Sequence, residues 1–162
     1  MDAKELLTTR RSIRYFKDKE IPQDILNEIF ELCRYAPSAR NNQPSYLIII
    51  KDKKMIEFLG ALRGNSSAPI SRAPIAVAIC ANPEISNRYI QDGCIFAYHF
   101  MLSAWAYGLG TCWIADMDRD EVKELLDIPK DHYVATVTPL GFPDEQPKIK
   151  QRKKPEEFVI YR

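Results

Sequence analysis

Residues 93–115 read GCIFAYHFMLSAWAYGLGTCWIA, and none of them carries a formal charge. Such a run is either a membrane span or a helix wrapped by the rest of its own protein. Gly108 and Gly110 break the helix, leaving about 15 helical residues or about 22 Å, against about 30 Å for a bilayer core. His99, Ser103, Trp105, Tyr98 and Tyr107 also suit a protein interior better than lipid. The reading is a buried central helix over about residues 87–107, and the rest of the chain has to supply the layers around it.

Working outward, residues 2–9 read as a short helix. Ile21-Pro22 marks a second helix start, with Ile25, Ile29, Leu32, Cys33 and Ala36 at helical spacing and Pro37 as the stop. YLIII at 46–50 is a β-type run and reads as a buried strand. Asp52 caps a short helix ending near Gly60, and residues 64–71 read as a flexible polar loop. PIAVAIC at 74–80 is a second buried strand. After the central helix, residues 112–115 suggest a short strand, and Asp118 with Glu121 has capping-box spacing for a helix to Leu126. YVATVTPLG at 133–141 is a clear strand. The tail is rich in proline and lysine but ends in EFVIY, which suggests a strand pinned either to its own chain or to another subunit. The order of elements suits one α+β or α/β domain over residues 1–162, with no repeat or dividing linker.

The chain has 162 residues and a net charge of +1, from 23 basic and 22 acidic side chains. That balance gives no global reason to expect nucleic acid or an acidic membrane as partner. Cys33, Cys80, Cys94 and Cys112 form no CxxC pair and sit among apolar neighbours, as reduced cysteines of a cytoplasmic protein do. With only His99 and His132 to help, no zinc site is expected. The N-terminus lacks an apolar signal core.

Against this neutral background, the stretch TTRRSIRYF at 8–16 concentrates Arg10, Arg11 and Arg14 around Ser12. Guanidinium forks match phosphate oxygens, and serine adds a hydroxyl donor. Lys148, Lys150, Arg152, Lys153 and Lys154 form a second basic cluster. The two either converge on one dianion or are separate solvated surfaces. PSARNNQP at 37–44 is dense in amides and hydroxyls, which suits a heteroatom-rich ligand as well as an ordinary turn. GLGTCW at 108–113 is no dinucleotide fingerprint; its glycines either admit a flat ligand or cap the helix. No nucleophile elbow, HExxH or paired carboxylate is present, which fits reactivity borrowed from a bound cofactor.

In combination, RRSIRYF, APSARNNQP, GLGTCWIADMD and LGFPDEQPKIKQRKKPEEFV, in that order along nearly the whole chain, resemble the motifs of the nitroreductase family of FMN-dependent oxidoreductases. The resemblance implies an α+β fold with a mostly antiparallel sheet flanked by helices, and a C-terminal segment extending onto the partner subunit. It implies a homodimer with two FMN sites at the interface, reduced by NADH or NADPH through hydride transfer to N5. Nitroaromatics, quinones or similar small acceptors would follow in a ping-pong cycle. Reductive dehalogenation, enone reduction and flavin binding without turnover are the alternatives on the same scaffold.

The resemblance also implies roles. Arg10, Ser12 and Arg14 lie along the phosphate and pyrimidine side of the flavin, with Arg11 beside them, and Lys150 and Arg152 return to complete the phosphate site. Positive charge near N1 would stabilise the negative charge that reduction places there. Pro37, Ser38, Ala39, Asn41 and Gln43 come from the partner subunit. Backbone groups of Trp113, Ile114, Ala115 and Asp116 face the ring, with the amide near Ala115 directed to N5. Asn65 is the candidate for the pyrimidine edge. No side chain is assigned acid-base work and no metal is implied. The chain lacks an obvious long insertion between its middle helices, which implies a substrate pocket either open or roofed by short loops.

Overall fold

Strand β2, Ile75–Ala81, has no exposed residue on either face, so it must be covered twice. In the computed structural model, which describes residues 2–162, that requirement sets the layers. Alternate β2 side chains point to opposite faces. Ile75, Val77 and Ile79 pack with α2 (Gln23–Cys33) and α4 (Tyr89–Ala106). Ala76, Ala78 and Cys80 face α3 (Lys53–Ala61) and α5 (Asp120–Leu125). The sheet order is β1-β2-β4-β3, with every neighbouring pair antiparallel: β1 is Ser45–Ile50, β3 Gly110–Thr111 and β4 Tyr133–Gly141. This is an α+β fold, and α1 (Ala3–Thr9) packs against α4 at its periphery.

Local signals act as expected in several places. Asp2 caps α1 by accepting from Glu5 N–H at 2.8 Å, and Asp52 caps α3 by accepting from Met55 N–H at 2.9 Å. The central helix ends in a Schellman motif. Leu109 N–H donates to Ala104 O and Gly108 N–H to Trp105 O, both at 3.0 Å, with Gly108 at φ 74°. No helix among the described residues is long and apolar enough to cross a membrane.

Other expectations are corrected. β1 is an edge strand, and only Ile50 in it is fully buried, because a single neighbour and a partial helix cover leave it half open. In α2 the buried stripe is Leu26, Ile29 and Cys33, while Leu32 is exposed. Residues 64–71 are no loose loop: two 3-10 turns hold them, and Ser67 and Ile70 are buried. The strand expected at 112–115 is displaced to β3. Asp118 does not cap α5; it pairs with Lys123 Nζ at 2.8 Å and accepts Val134 N–H at 3.1 Å. His99 is paired, through Nε2 to Leu32 O at 3.0 Å, but only half-buried.

Two apolar surfaces remain uncovered in one chain. Ile90, Ile95 and Tyr98 of α4 are 43–47% exposed, so this largely buried helix keeps one open face. Phe158, Ile160 and Tyr161 are exposed too, and the tail forms no strand within its own chain.

Gly110 admits no ligand, because Ile13 already fills its space. A Cβ there would lie 2.6 Å from the Ile13 Cβ. Gly110→Ala is therefore expected to destabilise the fold by about 1–3 kcal/mol, measured as a lower urea midpoint at unchanged slope.

Candidate functional site

The segment after α1 is laid against the sheet edge by its backbone. Ile13 N–H donates to Thr111 O at 2.8 Å, and Lys17 N–H to Phe142 O at 2.9 Å. Glu145 accepts the N–H groups of Arg14 and Tyr15, and Asp144 N–H reaches Tyr15 O at 3.0 Å. Ile13 is buried, so its neighbours Ser12 and Arg14 project to the other side. Chain 147–152 returns across them. The result is a concavity of about 220 Å³ lined by Arg10, Arg11, Ser12, Arg14, Pro147, Lys148, Lys150 and Arg152.

Among the described residues, none of the six cations in that lining lies within 4.0 Å of a carboxylate; the ion pairs present are Arg34–Glu31, Arg63–Asp116, Arg119–Asp116 and Lys123–Asp118. Arg11 turns one nitrogen to the carbonyls of Thr8 and Arg10, at 2.7 and 2.9 Å. Like charges so concentrated repel one another, and a bound polyanion relieves that repulsion. Cys112 lies beneath the cluster. Burial raises its thiol pKa, while Arg14, the Ser12 hydroxyl and Arg10 pull it back.

Segment 112–116 continues from β3 without a main-chain ladder. Two buried threonines of β4 replace it. Cys112 N–H donates to Thr138 Oγ1 at 3.2 Å, and that hydroxyl donates to Cys112 O at 3.0 Å. Thr136 does the same for Ile114, at 3.2 and 2.9 Å. Cys112 and Ile114 are thus drawn inward, while Trp113 and Ala115 face out. The N–H groups of Trp113 and Ala115 make no hydrogen bond among the described residues, leaving outward-facing donors beside the basic concavity.

Asp116 ends this segment in the left-handed region, at φ 57°. Two arginines hold it there. Arg119 bonds its carboxylate and donates from Nε to its carbonyl at 2.9 Å; Arg63 lies 3.2 Å from the carboxylate and donates to Ala115 O. The hydrogen bond from Arg119, aided by the charges of Arg119 and Arg63, lowers the Asp116 carboxyl below its ordinary value. Asp116 therefore spends its side chain on fixing the loop. Arg63 carries no spacing signal; only the fold, which brings it to a segment 52 residues away, identifies it. Asn65 is exposed in the turn Gly64–Ser66 that follows Arg63, on this same edge.

Loop 37–44 lies elsewhere. Pro37, Ser38 and Gln43 line a separate concavity of about 270 Å³ with Phe30, Phe96 and Asp92, and it shares no residue with the basic one. Arg40, Asn41 and Gln43 all have positive φ, at 52°, 57° and 54°. Within one chain the structure unites Arg10, Arg11, Ser12, Arg14, Lys150 and Arg152, sets residues 112–116 beside them, and leaves Pro37, Ser38, Ala39, Asn41 and Gln43 apart.

The sequence model of the nitroreductase family matches residues 7–73 and 67–142. The chain belongs to the nitroreductase family. It is 31% identical over 154 residues to a Methanothermobacter thermautotrophicus protein provisionally named NADH dehydrogenase/NAD(P)H nitroreductase, covering 91% of this chain and 80% of that one. An FMN-dependent nitroreductase from Clostridium difficile superposes with a TM-score of 0.86 at 29% identity, covering 96% of both chains. The NADPH:FMN oxidoreductase of Vibrio harveyi, solved with NAD+, gives a TM-score of 0.86 at 25% identity, over 97% of this chain and 75% of that one. The expected antiparallel α+β sheet is therefore the nitroreductase fold.

The lowered Asp116 carboxyl has a sign that can be tested. Its contribution to stability is fully present above its unfolded value near 3.8 and is lost as pH falls through the lower folded value. Urea midpoints from about pH 6 to about pH 3 should fall less steeply in Asp116→Asn than in the native chain.

Proposed function

We propose that this nitroreductase-family protein is an FMN-dependent oxidoreductase that draws on NADH or NADPH and works as a homodimer with two FMN sites at the interface. The observation that carries this reading is the convergence of six carboxylate-free cations and Ser12 on one concavity. A phosphate dianion fits that donor set: guanidinium forks, ammonium groups and a hydroxyl, with no acidic side chain among the lining residues. Outward N–H groups at Trp113 and Ala115 fit the edge of a flat heteroatom-rich ring. A Bacillus subtilis relative, 27% identical over 176 residues, is named an NAD(P)H-dependent FMN reductase, which supports both cofactors.

Arg10, Arg11, Ser12, Arg14, Lys150 and Arg152 would hold the phosphate and the pyrimidine side. Trp113, Ala115 and Asp116 would face the ring by their backbone, with the Ala115 N–H directed to N5 and Asn65 to the pyrimidine edge, while Ile114, whose N–H and carbonyl both bond Thr136, would support them from beneath. Pro37, Ser38, Ala39, Asn41 and Gln43, remote in their own chain, would serve the site of the partner. The uncovered Ile95 and Tyr98 face and the apolar tail support such a partner. FMN, when bound, would supply the redox chemistry, linking NADH or NADPH as hydride donor to a nitroaromatic, a quinone or a similar small acceptor. The chain's own work is to bind, to orient and to place positive charge where reduction adds negative charge. The setting is the cytoplasm.

The test is the visible spectrum of the purified protein, with and without NAD(P)H under anaerobic conditions. A stoichiometric FMN spectrum that bleaches on addition supports the reading; retained colour with either nicotinamide favours a flavin-binding module without turnover. Arg10→Ala and Arg152→Ala should each weaken FMN binding about tenfold or more while leaving the melting temperature nearly unchanged. Full flavin retention by both variants at limiting FMN would overturn the phosphate assignment.

A further inference from the structure

Asp92 borders the uncharged stretch 93–115 on its N-terminal side, and it is 3% exposed. Among the described residues no lysine or arginine lies within 4.0 Å of it. A buried carboxylate without a counter-ion is tolerated only when its oxygens are satisfied by hydrogen bonds. Oδ2 accepts the Ser86 hydroxyl at 2.7 Å, and Ser86, itself buried, accepts Arg88 N–H at 3.1 Å. Oδ1 accepts the Ala39 N–H at 2.9 Å. The first turn of the 18-residue α4 adds a favourable dipole.

The Ala39 bond is singular. Loop residues 38–43 otherwise bond one another: Gln43 N–H to Ser38 Oγ, Gln43 Nε2 to Asn41 O, Asn41 N–H to Ser38 O and Asn42 N–H to Ala39 O. Among the described residues, Ala39 to Asp92 is their one hydrogen bond to the rest of the chain. Three of these loop residues sit in the left-handed region without being glycine. Such strain persists only where the surroundings enforce it.

We infer that Asp92 is a positioning residue acting across the dimer: by holding the Ala39 amide, it fixes the shape in which one subunit presents residues 38–43 to the FMN of the other. The inference rests on the FMN homodimer reading above.

Apo-protein titrated with FMN, followed by flavin fluorescence, tests it. Asp92→Ala should bind FMN about tenfold more weakly or worse. Asp92→Asn, which keeps an oxygen for Ala39, should stay close to native affinity. The discriminating sample is a mixed dimer of Asp92→Ala and Arg10→Ala subunits, carrying different tags. If the loop serves the partner, one site in that dimer pairs an intact Arg10 with an intact loop and regains native affinity. Neither homodimer can do so, and a purely structural lesion gives no such recovery.

Native affinity in Asp92→Ala, or a mixed dimer without a tight site, overturns the inference. Native protein that takes up no FMN overturns the function proposal and this inference with it; if Arg10→Ala keeps its flavin, Arg152→Ala takes its place in the mixed dimer. Should Asp92→Ala fail to fold, Ser86→Ala removes only one of the two hydrogen bonds. It should weaken FMN about three- to tenfold, and native affinity there is again a refutation.

Discussion

A strand with no exposed residue divides everything around it. Because β2 must be apolar on both faces, the core splits into two layers that meet only through the sheet. One layer takes α2 and α4, the other α3 and α5. Small side chains on the second face, Ala76 and Ala78, leave room for Cys112, Ile114 and Met117 to press in from the loop after β3. The segment proposed to face the flavin is therefore anchored from beneath by the same packing that closes the core.

The candidate site is built where regular structure stops. Main-chain pairing ends at Thr111, and threonine hydroxyls take over for two alternate residues. That substitution turns one set of amides inward and frees the other set, which a continuous strand pair would have consumed. On the neighbouring segment, Glu145 engages backbone N–H groups rather than the arginines, so the cations keep their charge available. Acidic residues near the site hold shape, through Asp116 and Glu145, and leave the basic concavity unneutralised.

What was legible in the sequence was local. The runs at 74–80 and 133–141 read as strands from composition, and the two basic clusters stood out against a neutral chain. Their convergence, left open by charge spacing, followed the family resemblance. What stayed hidden depends on distant partners or on backbone geometry that residue type does not announce. Arg63 reaches Asp116 through the fold alone, and Asp92 reads as an ordinary first-turn acid. Positive φ at Arg40, Asn41, Gln43 and Asp116 carries no glycine to flag it. The strand expected at 112–115 failed because side-chain hydroxyls can imitate a ladder. β1 looked fully buried because an isoleucine run reads the same at the edge of a sheet as at its centre.

That edge position matters before the protein is finished. Ser45–Ile50 is a short β-prone stretch whose outer backbone groups face no strand in its own sheet. Newly made chains would offer it to one another as a template for fibrils. Pro44 on one side, with Lys51 and Lys53 on the other, place a missing donor and two positive charges at its ends. These are the residues that discourage edge-to-edge growth. The ends of β1 thus serve survival during synthesis, a demand separate from anything the mature site requires.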